Sequence, residues 1–156
     1  MIEALLDARG IVSGLALDHR DSLRAAATRR GLPADDATLA AFKADATAAL
    51  APHVSVLLLD LELGAGAIAW LTGEPALVMP LEEQGYETVG EGRVTTLLPG
   101  FSPQRAASLG AVGCKLLLPY QPRPAESARL QERVALGARE ACDAAGLGLV
   151  LEPIVY

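Results

Sequence analysis

Five short apolar runs, separated by longer stretches with helical spacing, constrain this chain more than any other feature. The runs are Ile11 to Asp18 (IVSGLALD), Ser55 to Asp60 (SVLLLD), Ala76 to Glu82 (ALVMPLE), Val112 to Tyr120 (VGCKLLLPY) and Leu147 to Tyr156 (LGLVLEPIVY). Short runs apolar at nearly every position read as buried strands. Between them, helices are predicted over 21–30, from Asp35 or Asp36 to about Leu50, over 65–72, from Ser102-Pro103 to Leu109, and over 125–145. Punctuation supports these bounds. Gly31-Leu32-Pro33 ends the first helix, and Asp35 or Asp36 offers an N-cap to the second. Pro52 stops that helix, Gly73 ends the third, Pro103 suits a first helical position, and Gly146 closes the fifth. The polar, Gly-rich stretch 83–93 reads as a loop and 121–124 as a Pro-rich turn.

Connections this long suit parallel pairing. An open doubly wound sheet and a closed (β/α)8 barrel then compete. No G-x-G-x-x-G follows the first strand, which weakens a dinucleotide-binding version. The strand ends favour the barrel. Asp18, Asp60, Glu82, Lys115 and Glu152 fall at or near the C-terminal part of a predicted strand, where barrel enzymes place their chemistry. Alternation agrees: Gly14, Ala16 and Asp18 share a face, as do Val56, Leu58 and Asp60, then Lys115, Leu117 and Pro119, then Gly148, Val150 and Glu152. The expected fold is α/β, a partial (β/α)8 barrel of five parallel strands with intervening helices, in a single incomplete domain over residues 1–156.

Composition excludes several function classes. A net charge of −6 argues against a nucleic-acid surface. No apolar run approaches the ~18 residues of a membrane span, and no signal-peptide pattern opens the chain, so a cytoplasmic location is expected. Cys114 and Cys142 fit no metal or redox spacing and read as buried thiols, and no metal or cofactor is expected. Only two lysines, Lys43 and Lys115, stand against eleven arginines, so each lysine is individually informative.

The strand-end residues each have two readings. Lys115 beside Leu116, Leu117 and Leu118 is an amine that apolar burial would hold neutral, as a Schiff-base nucleophile requires. It reads equally as a strand lysine paired with a carboxylate such as Glu152. Glu152 would lie beside Lys115 if the fourth and fifth strands pair, either relaying protons or merely neutralising the lysine. Asp18 is a polar tip over the apolar face of its strand or an N-cap for the helix near Asp21. Arg20 reaches a substrate phosphate or pairs with Asp60. Asp60 and Glu62 touch substrate or cap the next helix. Glu82 and Tyr86 sit on a loop that is a lid or simply solvated. His19 could do proton chemistry.

The stretches GIVSGLALDHRDSL, VLLLDLELG, LEEQGYE, GCKLLLPYQ and LVLEPIVY occur in the order expected of class I aldolases. The chain resembles the tagatose-bisphosphate aldolase type and its sulfofructose-phosphate aldolase relatives over nearly all its length. The resemblance implies a metal-free Schiff-base enzyme that cleaves a ketose phosphate between C3 and C4, giving dihydroxyacetone phosphate or a relative plus an aldehyde. It implies catalytic roles for Asp18, Lys115 as a supporting cation, and Glu152 as the proton shuttle. Arg20, Asp60 and Glu82 are then expected to bind substrate. The family usually shows Asp-Pro-Glu after the second strand, where this chain has Asp60-Leu61-Glu62, and often Asp-Gln-Arg after the first, where this chain has Asp18-His19-Arg20.

The resemblance places the Schiff-base lysine on a sixth strand, which these five runs do not reach. A barrel of this type needs about 250 residues. Three expectations follow: part of an aldolase active only with the rest of the barrel, a non-catalytic aldolase-derived scaffold or interaction module, or an enzyme using Lys115 as its own nucleophile. Open edges at the first and fifth strands predict association, with a second copy or with the missing barrel half. A sugar phosphate is the expected substrate once the site is complete.

Overall fold

The computed structural model describes residues 2–71, 73–123 and 125–156, and the chain is α/β. Five parallel strands with helices between them stand in the order β1-β2-β3-β6-β7, and a two-stranded hairpin, β4-β5, is separate. Leaving the hairpin aside, the parallel strands neighbour one another in chain order, as the first five strands of a (β/α)8 barrel do. The chain forms two compact units, one ending at Met79 and the other beginning at Pro80.

In the first unit, β1 (Gly14–Leu17) pairs with β2 (Val56–Leu59), and β2 pairs with β3 (Ala76–Pro80). Nearly every side chain of β2 and β3 is buried, which is why these strands read as unbroken apolar runs. In β1, Gly14 and Ala16 are exposed. That strand begins at Gly14 rather than Ile11 because the chain ahead of it is tied into a turn: the Asp7 carboxylate accepts from the Arg9 and Ile11 amides, at 2.8 and 2.9 Å. Helix α1 (Asp21–Arg29) follows β1. Helix α2 (Asp36–Leu50) is capped by Asp35, which accepts from the Thr38 amide at 3.0 Å, so Asp35 rather than Asp36 is the cap. It packs on α3 (Leu61–Ile68). Helix α3 starts four residues earlier than the sequence suggested, because Asp60 takes the N-cap position and removes any loop after β2. Thr72, the end of the predicted helix, lies outside the described residues, as does Pro124 of the predicted turn.

In the second unit, β6 (Gly113–Tyr120) and β7 (Gly148–Val155) pair from Gly113↔Gly148 to Tyr120↔Val155. Leu81, just past β3, donates to the Lys115 carbonyl at 2.9 Å, which sets Lys115 level with the end of β3. Ser102 caps α4 (Pro103–Ser108), and α5 (Ala125–Ala144) packs against β6 and β7. Cys114 and Cys142 are fully buried and hydrogen-bonded to each other, and burial pushes both thiols above the ordinary cysteine range.

The stretch expected as a loop holds a hairpin, β4 (Glu87–Val89) and β5 (Gly92–Val94). Gly90, with φ of 61°, makes the turn that closes it. Strands this short carry no readable period, so the glycines that permit the turn looked like a plain loop. A buried polar clip fixes the hairpin. Gln131 of α5 accepts from the Thr95 amide at 2.9 Å and donates to the Pro119 carbonyl at 2.6 Å, while the Thr95 hydroxyl donates to the Leu117 carbonyl at 2.8 Å. Gly92 lies so close to α5 that a Cβ there would fall inside the Ser127 side chain.

Candidate active site

Three ionisable side chains meet in the second unit. The Lys115 ammonium lies 2.8 Å from a Glu82 oxygen and 3.1 Å from a Glu152 oxygen. Register explains the second contact. Lys115 stands opposite Val150, and Glu152 is two residues further along β7, on the same face of the sheet. The first contact comes from a strip of antiparallel pairing beyond β3. Glu82 bridges Leu97, the Glu83 amide donates to the Thr96 carbonyl, and the Leu98 amide donates to the Leu81 carbonyl, both at 2.8 Å. That strip fixes Glu82 above the lysine.

Lys115 is not in the C-terminal part of its strand, as expected, but third of the eight residues of β6. It still reaches the expected level because β6 runs on well past the end of β3. The environments of the two carboxylates differ: the side chains of Lys115 and Glu82 are 7% exposed, and that of Glu152 is 47% exposed. Two carboxylates around one ammonium favour its charged form. The arrangement can hold a cation beside a developing negative charge. Glu152, held by the lysine on one side and open to solvent on the other, can take a proton and pass it on. Glu82 is the buried anchor.

The remaining expected residues lie in the first unit. Asp18, buried at the end of β1, sits 3.9 Å from the His19 imidazole. The N-cap position of α1 is held by Arg20 rather than by Asp18. Arg20 is itself buried. Asp60 has both oxygens committed: one accepts from the Leu63 amide at 2.7 Å and the other pairs with Lys43. Its observed work is therefore capping and charge pairing. The partner is Lys43, not Arg20.

The sequence marks Lys43 by its rarity but gives it no role. With Leu39 and Thr47 it forms the buried stripe of α2, each residue four positions from the next. A lone lysine in the middle of such a stripe, in a chain with two lysines, was the available signal. Among the described residues no group of three or more side chains is placed to hold a metal ion, and no helix is long and apolar enough to cross a membrane.

The chain is similar to known proteins. The model of the DeoC/LacD family aldolase matches residues 12–156. The tagatose 1,6-diphosphate aldolase of Listeria monocytogenes serotype 4a (strain HCC23) is 28% identical over 156 residues, covering 99% of this chain and 46% of that protein. Tagatose 1,6-diphosphate aldolase 2 of Enterococcus faecalis (strain ATCC 700802 / V583) is 33% identical over 119 residues, 76% of this chain and 36% of that protein. Tagatose 1,6-diphosphate aldolase 1 of Streptococcus mutans serotype c (strain ATCC 700610 / UA159) is 30% identical over 159 residues, 99% of this chain and 48% of that protein. The chain thus spans about half, or less, of the curated relatives it matches.

Proposed function

The chain belongs to the DeoC/LacD family of aldolases, and from that premise we propose that it carries the proton-handling side of a site that cleaves a carbon–carbon bond in a ketose phosphate. The observation that carries this reading is the buried Lys115 held between Glu82 and Glu152. In the proposed chemistry an amine condenses with the ketose carbonyl, releasing water, and the imine then draws electrons from the C3–C4 bond as it breaks. Glu152 moves protons on and off the carbinolamine, a kind of assistance worth ~10²–10⁴ in rate. Lys115 is the supporting cation, and Glu82 keeps it aligned. Asp18 and Arg20 contact substrate groups.

The condensing amine is proposed to come from outside these 156 residues. Both lysines of the sequence are committed, Lys43 to Asp60 and Lys115 to the two glutamates. The 156 residues alone are therefore proposed to be inactive. A polypeptide supplying further strand–helix units is the proposed partner, covering β7, where Val150, Leu151, Ile154 and Val155 are exposed. A cytoplasmic setting goes with this reading.

Borohydride trapping tests it. The 156-residue chain is incubated with dihydroxyacetone phosphate and sodium borohydride, then mapped by mass spectrometry. No adduct at Lys115 is expected, and no cleavage of tagatose 1,6-bisphosphate. Any activity regained with an added chain of the remaining strand–helix units should fall by ~10²-fold or more in Glu152→Gln. An adduct at Lys115 on the chain alone would make that lysine the nucleophile and overturn the supporting role.

A further inference from the structure

A second set of charged groups lies in the same unit and takes no part in the proposed chemistry. Arg93, on β5, holds its guanidinium over two aromatic rings, 4.4 Å from the centre of Tyr86 and 4.2 Å from the centre of Tyr156. Its backbone amide donates to the Tyr156 hydroxyl at 2.7 Å. The rings fix the plane of the guanidinium without using its N–H groups. Among the described residues neither Arg93 nor Arg123 has a carboxylate partner. Arg93, Arg123, Gln121, Glu91 and Tyr156 line one open cleft of about 590 Å³.

A preorganised guanidinium has lost its side-chain entropy before any ligand arrives, and its planar fork matches tetrahedral oxyanions. The Gln121 amide adds a neutral donor. Among the lining side chains Glu91 is the one opposing charge, so those side chains carry a net single positive charge. The cleft is much larger than a bare anion, with room for the body of an esterified one.

We propose that this cleft is a binding site for a phosphate group, free or carried on a sugar. The proposal does not rest on the aldolase reading, since none of its residues belongs to the lysine–carboxylate cluster.

The test is a titration of the isotope-labelled 156-residue chain, followed by NMR of backbone amides and arginine Nε–H groups. The probes are inorganic phosphate and glucose 6-phosphate, against potassium chloride at equal ionic strength. Saturable shifts at Arg93 and Arg123 are expected, with a Kd on the order of 1 mM. Arg93→Met and Arg123→Ala should each weaken binding about ten-fold or more. Glu91→Gln should tighten it about two- to three-fold, because it removes the repelling charge. Arg123 and Glu91 are exposed, so these two variants carry the test if Arg93→Met does not fold. Saturation by glucose 6-phosphate alone assigns an esterified phosphate, and saturation by both assigns the phosphate group itself. Non-saturating shifts matching chloride, or unchanged affinity in both Arg123→Ala and Glu91→Gln, would overturn the proposal.

Discussion

Replacing Lys43 by methionine should destabilise the chain sharply, and the structure sets the size of the effect. The Lys43 and Asp60 side chains are each 1% exposed, so solvent does not screen their pairing. Methionine keeps most of the volume but removes the ammonium. Asp60 would retain the Leu63 amide on one oxygen and lose the partner of the other, leaving a buried charge half satisfied. Breaking a sealed pair from one side costs about 3–5 kcal/mol. Domains are stable by only about 5–15 kcal/mol, so this is a large share. At about 2–4 °C per kcal/mol for this chain length, the melting temperature should fall by about 6–20 °C. Asp60→Asn should cost a similar amount by stranding the ammonium, although asparagine still caps α3. The double variant Lys43→Met/Asp60→Asn should return to within about 1 kcal/mol of the native chain, since no charge is left buried. Urea unfolding followed by circular dichroism measures all four proteins in one cycle. If Lys43→Met alone costs under about 1 kcal/mol, the pair behaves like a solvated one and the burial argument fails.

Two further outcomes follow from packing and capping. Gly92→Ala should lower stability by about 1–3 kcal/mol, because its Cβ has nowhere to go beside Ser127, and adding Ser127→Gly should recover most of the loss in the urea midpoint. The Asp35 carboxyl is held below its ordinary range, first by the Thr38 amide and then by the Thr38 hydroxyl. A depressed folded-state pKa adds stability above the unfolded value, near ~3.9, and loses it as pH falls through the folded value. Melting temperatures of the native chain and Asp35→Ala should therefore differ at pH 7 and converge at about pH 2; a constant difference would refute the capping account.

The parallel strands were legible because burial on both faces leaves an unbroken apolar run, as in Val56–Leu59 and Ala76–Pro80. The meeting of Lys115 with Glu152 was legible too, because a period of two along neighbouring strands decides which residues share a face. Glu82 as the second partner of Lys115 was not. Its position depends on the antiparallel strip with Leu97, a long-range pairing that no local spacing announces. The start of α3 was missed because Asp60 directly follows β2 and is itself the cap, leaving no loop residues between strand and helix to mark the boundary. Lys43 escaped because α2 is so rich in alanine that its buried stripe barely stands out. Glu82 and Lys43 do their work through partners distant in sequence.

The Gln131 clip also bears on how this unit opens. A three-residue strand such as β5 would ordinarily fray within moments, and its amide protons would exchange freely with water. Here the amide of Thr95, just past β5, is locked to the side chain of a helix, and that same side chain holds the Pro119 carbonyl at the far end of β6. The hairpin and α5 are therefore bound to release together, in one cooperative opening rather than two. The protection of that single amide reports the free energy of detaching a twenty-residue helix.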